Sequence, residues 1–161
     1  MLSSRLAALP MALVLLAVVA CGPSDIDRRQ AEVAEAGRSV MPFDLDATTH
    51  VFERLDDGGL QTVMSDTDAP EQVALVRAHL AEEAGRFRRG DFHDPGMIHG
   101  QDMPGLHALM TSAGRITIEY REVDRGAEIR YRSDDPTLVA AIHDWFDAQL
   151  SDHGAHAQPT H

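Results

Sequence analysis

The chain's main supply of reactive groups is its imidazoles. Nine His outnumber the five Phe, two Tyr and one Trp taken together. Neutral imidazole is a ligand for Zn, Cu or Ni, and thioether sulfur favours Cu(I). The histidines fall into three groups. The first lies mid-chain around Ile98-His99-Gly100-Gln101-Asp102-Met103-Pro104-Gly105, flanked by His93 and His107. There His99 and Met103 are candidate ligands. Gly100 and Pro104 argue against a regular helix, so loop geometry would have to hold them. The second group is internal. His50 alternates with Phe52, and His143 sits a turn after Val139 and a turn before Phe146. His79 lies at the edge of another apolar stripe. The third, His153, His156 and His161, falls in a Gly/Ala/Pro-containing end that reads as a frayed tail.

The site expected from these patterns is a meeting of His50, His99 and His143 at one end of a sheet. His79 and Met103 are further candidate ligands. Three imidazoles would leave zinc an open position. No HxH, HxxxH or HExxH spacing accompanies them. The competing reading is that each internal His is a core residue whose polar atoms are satisfied locally.

Other chemistry is scarce. Serines occur without a GxSxG elbow, and neither GxGxxG nor GxxxxGK[ST] is present. All fourteen bases are Arg, which excludes Schiff-base chemistry on Lys and the P-loop lysine. One Cys permits no internal disulfide and no Cys-rich zinc site. A net charge of −12 argues against nucleic-acid binding, which needs a basic footprint. A His general base is the remaining enzymatic route, and no nucleophile goes with it. A non-enzymatic domain is therefore expected.

The elements that must position these residues follow from apolar periodicity. Thr48 to Leu55 and Leu60 to Ser65 read as strands joined by the turn Asp56-Asp57-Gly58-Gly59. Asp68 and Glu71 resemble a capping box, and Pro70 opens a helix carrying Val73, Val76, Leu80, Ala84 and Phe87. Arg115 to Val123 and Ala127 to Tyr131 alternate around Asp124-Arg125-Gly126. Asp134 or Asp135 then caps a helix opened by Pro136, with Val139, Ile142, Phe146 and Leu150 as its stripe. A shift of 66 residues aligns the halves, pairing Glu53 with Glu119, Asp68 with Asp134, Pro70 with Pro136, Val73 with Val139 and Ala74 with Ala140. The expected fold is α+β: a duplicated ββα-ββα unit forming a four-stranded antiparallel sheet, with two main helices on one face.

The N-terminus carries an address. Arg5 precedes the apolar run Leu6 to Ala20, shorter than the roughly 20 residues a membrane-crossing helix needs and suited to a signal peptide. Val18-Val19-Ala20-Cys21-Gly22 resembles the bacterial lipobox, which implies lipidation of Cys21. Acyl chains would hold the protein on a membrane at about 0.8 kcal/mol per buried CH₂. Gly22, where Asp would signal inner-membrane retention in enteric bacteria, favours the outer membrane. The expected organisation is a signal peptide over 1–20 and lipidated Cys21 with a flexible tether over 21–40. A single domain over 41–153 and a disordered tail over 154–161 complete it.

Phe43 to Phe52, the turn Asp57-Gly58-Gly59, Arg77-Ala78-His79-Leu80, Ile98-His99-Gly100 with Met103-Pro104-Gly105, and Ala141-Ile142-His143-Asp144 resemble a family of small bacterial α+β proteins. The resemblance covers most of Phe43 to His153. It implies the domain limits and draws attention to His50, His79, His99 and His143. Some look-alikes carry the label aspartate carbamoyltransferase. That activity is not expected here, because the chain lacks the Ser-Thr-Arg-Thr carbamoyl-phosphate motif and the length for a two-domain site. The expectation is an envelope lipoprotein facing the periplasm, binding Zn or Cu through histidines. The alternative is a metal-free lipoprotein that docks an envelope protein partner through its anionic surface and Trp145.

Overall fold

A computed structural model describes residues 24–160. The signal segment and Cys21 lie outside the described residues. Among those residues, no helix is long and apolar enough to cross a membrane.

The fold is α+β. Strands β1 (Thr48–Leu55) and β2 (Gly58–Ser65) form the first hairpin, and β3 (Thr117–Val123) and β4 (Gly126–Arg132) the second. The sheet order is β3-β4-β2-β1-β5. The first four strands are antiparallel neighbours, while β5 (Ala157–Gln158) adds in parallel beside His50 and Val51. The sheet is therefore five-stranded and mixed, which corrects the expected four. The tail expected to be disordered is instead a 3-10 turn, Gly154–His156, followed by β5.

Two long helices carry the core against the sheet. Helix α2 (Pro70–Phe87) and helix α5 (Pro136–His153) each have 18 residues and open on Pro at the first helical position, where a missing N–H costs nothing. Asp135 caps α5 by accepting from the Thr137 N–H at 2.8 Å. For α2 the structure corrects the expected capping box: Ala69 is the cap residue and makes no side-chain bond. Phe52, Val63, Ile118, Ala127, Ile129 and Tyr131 point from the strands into one core with Val76, Leu80, Phe87, Ile142, Trp145 and Phe146. The buried stripe of α5 runs through Leu138, Ile142, Trp145 and Gln149. Ala141 and Phe146 are buried beside it, so Ile142 and Phe146 of the expected stripe are in the core, Val139 and Leu150 are only partly buried, and Trp145 is in the core. Gly58 and Gly59, expected in the turn, belong to β2. A Cβ on Gly59 would come within 2.3 Å of the Phe146 ring.

Among the described residues three further α-helices are present, so two main helices describe the architecture incompletely. Helix α1 (Asp25–Val40) replaces the expected tether over its described part. Ser24 and Asp27 form a reciprocal capping box, which satisfies two otherwise free N–H groups. Val33 is buried, and Gly37 packs so closely that a Cβ there would meet Leu45 at 3.0 Å. Arg29 and Gln30 reach the end of α5, bonding Asp152 and the Ser151 carbonyl. Helix α3 (His93–His99) and helix α4 (Leu106–Met110) occupy the segment expected to be a loop with one short helix.

A histidine cluster between two cavities

Three elements bring imidazoles together at one end of the molecule. His50 comes from β1, His99 from the last residue of α3, and His153 from the last turn of α5. The His50 and His153 ring centres are 5.1 Å apart, and those of His99 and His153 are 5.0 Å apart. Phe52 stacks on His153, and Phe43 closes the side toward His50.

The outer nitrogens of two rings are held. His99 Nδ1–H donates to Asp152 Oδ2 at 2.8 Å. Arg29 grips the same carboxylate through Nε at 3.1 Å and Nη2 at 2.6 Å, and also donates to the His99 carbonyl at 2.7 Å. Burial alone would raise the Asp152 carboxyl, but the hydrogen bonds from Arg29 and His99 outweigh it and lower it. His153 Nε2–H donates to Gln149 Oε1 at 3.1 Å. These bonds leave His99 Nε2 and His153 Nδ1 without their protons in the neutral rings.

Burial keeps the cluster uncharged. It pushes His50 down to about 4, helped by His79, His156 and His99 nearby. It drives His153 well below the ordinary imidazole range, with His50 and His99 adding to the effect. It also lowers His99, with Asp152 opposing. All three are neutral at pH 7, the state in which imidazole ligates metal.

Two cavities meet at this cluster. An outer cleft of about 230 Å³ lies between α1 and the chain after α5, and its lining includes Val33, Leu45, Asp152 and His156. A smaller inner cavity of about 40 Å³ reaches Glu83, Asp94, Trp145 and Gln149. His50 and His153 line both. At the inner end, Glu83 is 6% exposed and Trp145 fully buried, yet Glu83 Oε1 and Trp145 Nε1 have no hydrogen-bond partner among the described residues. The Arg86 guanidinium lies in ion-pair range of Glu83 Oε1 at 3.5 Å, without forming a hydrogen bond, and bonds Asp94 at 2.8 Å. Burial, and then the neighbouring Asp94, raises Glu83 to about 8.

The structure separates the residues expected to act together. His50 and His99 are in the cluster. His143 is not: its Nε2–H is shared between the carbonyls of Leu55 at 3.0 Å and Gly58 at 2.8 Å, bracing the β1–β2 turn. His79 packs edge-on against Phe43 at 5.6 Å, and Met103 is buried in the hydrophobic core. The sequence reading missed His153, Asp152, Arg29 and Gln149. Continuing the α5 stripe from Trp145 through Gln149 would have pointed to Asp152 and His153. Among the described residues, no three His, Cys, Asp or Glu side chains converge on one ion position as they stand. Comparison with family models, curated proteins and solved structures finds no match.

Proposed function

We propose that the chain is a lipid-anchored bacterial envelope protein whose folded domain binds Zn or Cu, without catalysis, through His50, His99 and His153. The observation that carries the metal reading is the ring spacing. Two imidazoles on one tetrahedral zinc place their ring centres about 5 Å apart, given Zn–N distances of about 2.0–2.1 Å. The successive pairs of the cluster stand at 5.1 and 5.0 Å. Capture requires the rings to turn until their nitrogens converge. The Arg29–Asp152–His99 chain has the form of a carboxylate that orients a ligating imidazole.

The anchoring part rests on the lipobox-like Val18 to Gly22. The duplicated ββα unit is part of the same reading. It is supported by α2 and α5, which begin at Pro70 and Pro136 and have equal lengths.

Calorimetric titration of untagged protein with Zn(II), and with Cu(I) under reductant, tests the metal reading. One ion per chain is expected, with binding lost in His50→Ala, His99→Ala and His153→Ala. Binding unchanged in all three overturns it. Membrane fractionation of Cys21→Ser tests the anchor: the variant should become soluble, and retention in the membrane contradicts lipidation.

A further inference from the structure

Helix α1 leaves little chain between the domain and its expected anchor. Ser24 caps α1 through its reciprocal box with Asp27, and Cys21 stands three residues earlier. Consecutive Cα atoms are 3.8 Å apart, so three steps span about 11 Å at most, whatever their conformation. Acyl chains on Cys21 therefore hold the first turn of α1 beside the lipid headgroups. Arg29 lies about 6 Å further along the helix from Asp25. It holds Asp152 at the end of α5 and the His99 carbonyl at the end of α3, so those two helix ends are drawn to the same side.

Exposed apolar side chains fall on that side. Among the described residues the large ones are Ile26 at 63%, Met97 at 59% and Met110 at 38%. Single exposed apolar side chains are ordinary; the place of the first two sets them apart. Ile26 is one turn before Arg29 on α1, Met97 is two residues before His99 on α3, and the two helices pack on each other. Ile26 also shares the helical spacing of the buried Val33 and Gly37, continuing their stripe past the point where the domain covers it. The carboxylates beside it are engaged: Asp25 pairs with Arg28, and Asp27 accepts from the Ser24 N–H at 2.9 Å.

We propose that Ile26 and Met97 seat the domain on the lipid surface in which Cys21 is anchored, entering the headgroup region together and fixing the domain's orientation there. This seating presupposes the lipidation of Cys21 proposed above and involves no metal. Met97 is the discriminating residue. Ile26 is five residues from Cys21 and nears the membrane on any lipidated chain, whereas Met97 does so only where the junction of α1 and α3 faces the lipid.

Lipidated protein is reconstituted in vesicles of phosphatidylethanolamine and phosphatidylglycerol, with a nitroxide on Ile26→Cys, Met97→Cys or Glu119→Cys. Glu119 is exposed on β3, at the sheet edge away from β1. Acylated Cys21, the one natural thiol, takes no label. Compared with the label at position 119, those at 26 and 97 should show a ratio of oxygen to chromium oxalate collisions about threefold higher or more, because apolar side chains at an interface sit where oxygen concentrates and a charged reagent is excluded. Flotation and intact mass of the same samples read the anchor. Lipidated protein that floats while the label at 97 matches that at 119 overturns the seating and leaves the anchor intact. Shielding at 26 alone does the same. Shielding at 97 that rises with the protein-to-lipid ratio is contact with a second copy and also overturns it. Protein that neither carries acyl chains nor floats overturns the anchor, and the seating falls with it.

Discussion

His99 and Asp152 are joined by a 2.8 Å hydrogen bond from Nδ1 to a carboxylate oxygen, and Arg29 of α1 donates to both oxygens of that carboxylate. The bond fixes the His99 tautomer and ties the mid-chain helix α3, the end of α5 and the N-terminal helix α1 into one unit.

Removing the carboxylate should loosen both the site and the helices around it. Asp152 is mostly buried and Arg29 nearly half exposed, so water screens part of the loss. Asp152→Ala is expected to cost about 2 kcal/mol, below the 3–5 of a fully buried pair, as read by urea denaturation. Zn affinity should fall about 10–100-fold, as for other groups that orient a ligating His. An unchanged affinity would show that Asp152 does not orient a metal ligand.

His143→Ala separates bracing from binding. The lost N–H leaves the Leu55 and Gly58 carbonyls without this donor. A cost of about 1–2 kcal/mol is expected, with metal binding unchanged. A loss of metal binding with the fold intact would return His143 to the site.

The buried titratable groups give opposite pH dependences. His50 is lowered to about 4, so the unfolded chain takes up its proton first as the solution is acidified. Its contribution is full above about 6.5 and declines as pH falls from there toward 4, at up to about 1.4 kcal/mol per pH unit. Glu83 is raised to about 8, so the folded chain keeps a proton that the unfolded chain has lost. Its contribution is full below about 4.5 and declines as pH rises from there through 8. Glu83→Gln removes only the second slope, so its stability relative to wild type should grow between pH 5 and 8 in denaturant titrations. A constant difference across that range would place Glu83 outside the buried, protonated state.

Helix α1 should behave as part of the domain. Val33 is 1% exposed, and placing a charge there would bury it without a partner. Val33→Asp is expected to destabilise by about 3 kcal/mol and to expose α1 to limited proteolysis ahead of the sheet. Equal protease resistance in both proteins would mean that α1 packs loosely.

The α+β order was legible because its signals are local. Alternation in Ile118, Tyr120, Ile129 and Tyr131 reports a half-buried sheet. The Pro70 and Pro136 helix starts coincide with those observed. Helix α1 was not legible as packed structure. Its buried contact is as narrow as Val33 and Gly37, and the rest of its hold is polar, with Arg29 reaching a residue 123 positions away. Strand β5 is two residues long, too short for a period to show. For the site, His50 and His99 stood out by type. His153 did not, because the Gly154 that follows marked the start of a tail. The place of His143 was not legible, because a ring one step off an apolar stripe looks the same whether it meets a metal or two backbone carbonyls.

The most direct measurement is X-ray absorption on the Zn-loaded protein, with His153→Ala as comparison. A nitrogen shell at about 2.0–2.1 Å with the multiple scattering of three imidazoles is expected, falling to two in the variant. A shell with no imidazole scattering, or one unchanged in His153→Ala, would contradict metal binding by the His50–His99–His153 cluster.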